Sequence, residues 1–150
     1  MSSAFADERH DHEKASDLSF FLTANFKLPV WRRYHPLHQR VETEVVVPDL
    51  LEHGNHSEQK PVFAMSLVQL LGDNTPELFI LNRSNGRCNQ DGCLVQIYKL
   101  SAGSWYKIYE NTASAIVYRP EKGQVPAKIA SIGDTPSIHT WSPLAGAFNK

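Results

Sequence analysis

Cys88 and Cys93 are the whole thiol inventory of this 150-residue chain, and Asn89-Gln90-Asp91-Gly92 separates them. Two cysteines at that spacing supply neither the four ligands of a complete zinc site nor the two-residue gap of a thioredoxin-like redox centre. Two readings stand: a disulfide closing a tight hairpin loop, or two free thiols. The disulfide fits better, with Gly92 relieving the backbone. Loop-closure entropy gives so short a ring only about 2 kcal/mol. Its larger effect is on shape, because a rigid exposed loop loses little freedom when it docks. The expected contact residues are Arg87, Asn89, Gln90, Asp91 and Gly92. A bonded pair implies an oxidising compartment, the bacterial periplasm or the exterior.

Six of the seven histidines come in close pairs: His10 and His12, His35 and His38, His53 and His56. A zinc or nickel site built from His35, His38, His53 and His56 would make the chain a metal-binding protein or a metal-dependent hydrolase. The competing reading is ordinary exposed histidine, since all three pairs fall in stretches with loop or tail composition. None forms the His-Glu-x-x-His helix of a metalloprotease.

Other chemistries find less support. No Gly-x-Ser-x-Gly elbow or glycine-rich phosphate loop is present. Glu42 and Glu44 share one face of an expected strand, the arrangement of a solvated surface rather than a catalytic pair. Asp73-Asn74 has too few oxygen ligands at regular offsets to make a calcium loop. A net charge of −1 and the short Arg32-Arg33 run give no electrostatic case for nucleic acid. No stretch approaches the roughly 20 apolar residues of a membrane span. Residues 1–16 lack the apolar core of a signal peptide and read as a polar, disordered lead-in. Export therefore implies a signal already removed. No cofactor is expected.

The elements that would position these residues follow from periodicity. A short helix is expected from Asp17 to about Asn25, with Leu18, Phe21, Leu22 and Phe26 at helical spacing and Pro29 beyond its end. Val41-Glu42-Thr43-Glu44-Val45-Val46-Val47 reads as a strand stopped by Pro48, followed by a loop from Asp49 to Lys60. Residues 62–71 suit a central strand, although a buried helix has the same near-continuous hydrophobicity. The centre of the chain is a meander of three antiparallel strands: 77–82, 94–98 and 105–109. Ser101-Ala102-Gly103-Ser104 is the turn between the last two. One face of that meander is expected to lie under the N-terminal helix. Residues 115–118 and 127–132 are further strands, and Ile138, Trp141, Leu144 and Phe148 bring the tail back onto the domain.

The order of a helix, Lys27-Leu28-Pro29-Val30-Trp31, a strand, Cys-x-x-x-x-Cys, a strand, a turn and a strand resembles the periplasmic inhibitors of vertebrate-type lysozyme. In those proteins a disulfide-bounded loop plugs the lysozyme cleft. The resemblance covers residues 17–31 and 77–110. The family's loop carries a histidine where this chain has Asn89-Gln90-Asp91-Gly92. Gly72-Asp73-Asn74, Pro76-Glu77-Leu78, Gly92-Cys93 and Tyr98 are also similar to small exported bacterial proteins with a Gly-Cys β-hairpin.

The sequence thus predicts one α+β domain over residues 17–150, with a short N-terminal helix on a mostly antiparallel sheet of five to seven strands. The leading functional expectation is a non-enzymatic bacterial envelope protein that binds another protein through the 88–93 loop. It would inhibit a cell-wall hydrolase or neutralise a toxin. A structural subunit of an envelope assembly is the further alternative to the metal reading.

Overall fold

The computed structural model describes residues 17–52, 60–133 and 136–149. The class is α+β: two helices and nine antiparallel strands among the described residues, the strands divided between a five-stranded and a four-stranded sheet. Helix α1 covers residues 17–23 and helix α2 residues 38–52. The first sheet holds β1 (Phe63–Val68), β2 (Glu77–Asn82), β3 (Cys88–Asn89), β4 (Gly92–Ser101) and β5 (Ser104–Ala113). The second holds β6 (Ala115–Arg119), β7 (Lys128–Ile132), β8 (Ser137–Ser142) and β9 (Ala147–Asn149).

Because side chains alternate along a strand, each sheet has two faces to cover, and the elements stack in four layers. Phe79, Val95, Ile97 and Tyr109 of the first sheet meet Ile116 and Ile129 of the second in a shared core. The opposite face of the first sheet offers Phe63, Met65, Leu78, Ile80 and Tyr98 to Val41, Val45, Val46 and Leu50 of α2. On the outer face of the second sheet, Val117, Ala130 and Ile132 pack on Phe21 and Phe26 at the N-terminal helix. The tail does return, with Trp141 and Phe148 against the shared core, while Leu144 stays fully exposed.

Three local expectations are corrected. The 62–71 run does not give a central strand: β1 covers Phe63–Val68 and ends the strand order of the first sheet, with Arg32 bridged to Met65 on its other side. The meander is covered by α2, not by the N-terminal helix, which lies on the other sheet. Residues 41–47 are helical rather than extended, because Val41, Val45 and Val46 are the buried set and recur at helical spacing. Helix α2 widens to a π turn over Glu42–Val46, with the Val47 N–H donating to the Glu42 carbonyl. In a regular α-helix the Pro48 ring would strike the Glu44 carbonyl; the wider turn gives it room, so the helix continues through Pro48 to Glu52.

The meander itself is as expected. β4 pairs with β2 along one side, Leu78 opposite Tyr98 and Asn82 opposite Leu94, and with β5 along the other. β3 lies on the same side of β4 as β2, so residues 83–87 are a detour in one long hairpin. Ser84 pins the detour: its N–H donates to Asn82 Oδ1, and its hydroxyl meets the backbone of Val62. A bulge opposite Ile97 and Tyr98 turns both Ile108 and Tyr109 into the shared core. Lys107 is thereby left facing α2, on the other side of the sheet from Tyr109.

Candidate functional site

The hairpin ending in Gln90-Asp91 is the first candidate. Cys88 and Cys93 face each other across the β3–β4 ladder, 4.0 Å apart at Cα, and are joined by a disulfide. The Asn89 side chain accepts the Asp91 N–H at 2.8 Å, which closes the turn from inside. Gly92 has φ +132, and a Cβ there would lie 2.0 Å from the Ala113 carbonyl oxygen. Only glycine lets β4 begin so close to the end of β5. The turn is thus fixed at three points: the disulfide, the Asn89 cap and the Gly92 contact.

Cys88, Asn89 and Gln90 are exposed, whereas Arg87, Asp91, Gly92 and Cys93 are half-buried. The surface a partner can reach therefore narrows to Asn89 and Gln90, with Arg87 and Asp91 at its margins. Arg87 is tied to the neighbouring strands through its backbone: its N–H donates to Ser84 and its carbonyl accepts from Leu94, each at 2.9 Å.

The histidines behave as individual side chains. His35 Nδ1 accepts the Leu37 N–H at 3.0 Å, and the His38 ring stacks on Phe63 with centroids 4.2 Å apart. His53 and His56 lie outside the described residues. No group of three metal-ligating side chains converges among the described residues. No helix among them is long and apolar enough to cross a membrane.

A second polar cluster, not anticipated from sequence, sits where α2 crosses the first sheet. Asp49 of α2 is buried and accepts hydrogen bonds from Gln96 Nε2 at 2.9 Å and Lys107 Nζ at 2.8 Å. Glu110 Oε1 accepts from the same two donors, at 2.9 and 3.2 Å. The four side chains form a closed ring. Half-burial pulls the Lys107 ammonium down, but Asp49 and Glu110 outweigh it and the net displacement is upward. Burial among these carboxylates pushes the Tyr98 phenol well up, so it stays protonated. A cleft of about 290 Å³ opens on the ring, lined by Asp49 and Lys107 together with Glu44, Glu52, Trp105 and Tyr106. Each Asp49 oxygen accepts from a side chain of the sheet, so the ring fastens α2 to it. The sequence signal was Asp49 four residues after Val45, legible only if the stretch is read as a helix.

Compared with models of known protein families, with curated proteins and with solved structures, the chain matches none.

Proposed function

We propose that this chain is a non-enzymatic, exported binding protein of the bacterial envelope that docks another protein through the end of the β3–β4 hairpin. One observation carries the reading: a turn locked by the Cys88–Cys93 disulfide, the Asn89 cap and the Gly92–Ala113 contact presents Asn89 and Gln90 to solvent. A turn held in one conformation before docking gives up little entropy on binding, so a small tip can carry useful affinity. The disulfide also supports the periplasm or the exterior as the working compartment. Inhibition of a cell-wall hydrolase, or neutralisation of a toxin, would follow from insertion of such a tip into a cleft.

The test is affinity capture from envelope extracts with the wild-type chain and with Gln90→Arg, which alters the tip without touching its internal hydrogen bonds. The expected result is a stoichiometric partner retained by the wild type and lost by the variant, and lost also when the disulfide is reduced. Equal capture by all three baits overturns the assignment of the hairpin.

A further inference from the structure

A cavity of about 510 Å³ opens between the start of α2, the residues leading into β1 and the 83–87 detour. Arg33, His38, Lys60 and Arg83 line it, and among the described residues no carboxylate does. This bias is local, since the chain as a whole has 15 lysines and arginines against 16 acidic residues. Among the described residues, ion pairs involve Arg40, Lys99 and Lys107 but none of the three lining cations. Like charges gathered without counter-charges repel one another, so an arriving anion relieves a penalty already present in the free protein.

The backbone beside the two arginines is also fixed. Arg32 pairs with Met65 through both backbone groups, at 2.9 and 3.0 Å, which fixes where Arg33 leaves the edge of β1. The Arg83 N–H donates to the Val62 carbonyl at 2.8 Å, and the next residue, Ser84, holds Val62 again. The His38 ring is held against Phe63. His38 opens a helical run of 15 residues whose N-cap, Leu37, makes no side-chain cap, so the positive end of the helix adds to the same field. The volume is that of a small-molecule site. Tyr34, almost wholly exposed at the rim, supplies a flat apolar wall.

We infer that this cavity binds a phosphate monoester. Planar guanidinium groups match the paired oxygens of phosphate and carboxylate alike. Three cations without an ion-pair partner among the described residues, together with a helix end, favour the doubly charged group over the singly charged one. The ester is either a free small molecule or the headgroup of phosphatidic acid, which share this chemistry. The site is separate from the hairpin tip and stands whether or not the tip docks a protein.

The test titrates the whole chain with glycerol 3-phosphate, following the His38 ring protons by NMR and the heat by calorimetry. In parallel, flotation is run with phosphatidylcholine vesicles with and without phosphatidic acid. Saturable one-to-one binding of glycerol 3-phosphate, with the His38 signals moving, supports a free ester as the source. Binding confined to the phosphatidic acid vesicles supports a headgroup. Arg33→Glu/Arg83→Glu should weaken either by about tenfold or more, as expected for removal of two charge-assisted contacts. Both positions are exposed, and a melting curve checks that the variant folds. Lys27→Glu/Lys122→Glu makes the same charge change beside the second sheet and should leave binding intact. The inference fails if neither probe binds saturably, if glycerol 3-phosphate binds without moving the His38 signals, or if the two double variants lose binding equally.

Discussion

The Lys107 ammonium of β5 donates to the buried Asp49 carboxylate of α2 across 2.8 Å, 58 residues apart in sequence. With Gln96 on the other Asp49 oxygen, this contact sets where the helix lies on the first sheet. Removing one partner of a buried pair is far more damaging than the pair is stabilising, because the remaining charge is stranded. Asp49→Ala should therefore cost about 3 kcal/mol in urea unfolding. Arg40→Ala, which breaks the solvent-exposed Arg40–Glu44 pair, should cost only about 0.5 kcal/mol. Comparable losses in the two variants would contradict the fastening role of the ring.

Glu77 is fully buried and accepts the backbone N–H groups of Leu70 and Leu71 on one oxygen, at 3.0 and 2.9 Å. Burial pushes its carboxyl above the ordinary glutamate range, further than those two donors pull it back. The folded chain thus keeps this proton to a higher pH than the unfolded chain. Its contribution is complete below the ordinary glutamate pKa and shrinks as pH rises toward the folded value. Glu77→Gln should flatten that part of the profile, read as urea midpoints from acid to neutral pH. Parallel profiles for both proteins would refute the linkage.

Two glycines with positive φ separate backbone conformation from close approach. Gly86, at φ +84, has nothing within 4 Å of where a Cβ would sit, whereas Gly92 faces the Ala113 carbonyl. Gly86→Ala should cost about 1 kcal/mol, the ordinary left-handed penalty. Gly92→Ala should cost more than about 2 kcal/mol, since the strand ends must part. Thermal melts of the pair decide it, and equal shifts would mean that the approach at Gly92 is easily relaxed.

The cysteine pair has its own signature. The unreduced protein in denaturant should contain no titratable thiol, and Cys88→Ser/Cys93→Ser should lose about 2 kcal/mol, the value for so small a ring. Two thiols in the unreduced protein would remove both the clamp on the hairpin and the case for an oxidising compartment.

Much of this arrangement was legible in sequence because apolar, β-branched and aromatic runs punctuated by turn residues announce strands. β2, β4 and β5 are such runs, and the turn at Ala102-Gly103 and the facing cysteines mark where they connect. Residues 41–47 were not legible, because β-branched residues at Val41, Val45 and Val46 satisfy both periods locally, and Pro48 looks like a strand end until the π turn makes room for it. Misplacing that helix hid Asp49 as well, which then read as a loop residue rather than the partner of Gln96 and Lys107. The basic cavity was illegible for another reason. Arg33, Lys60 and Arg83 are remote in sequence and are gathered only by the pairing of β1 with β2 and with Arg32.

Ser114 alone separates the last strand of one sheet from the first strand of the other. A tether of one residue leaves neither layer free to slide or swing on its neighbour. Cutting the gene there would yield two fragments, each with a bare greasy face and no reason to dissolve by itself. The molecule should consequently melt as a unit, and a split version for reporter assays is better divided at the exposed Ala102-Gly103 bend.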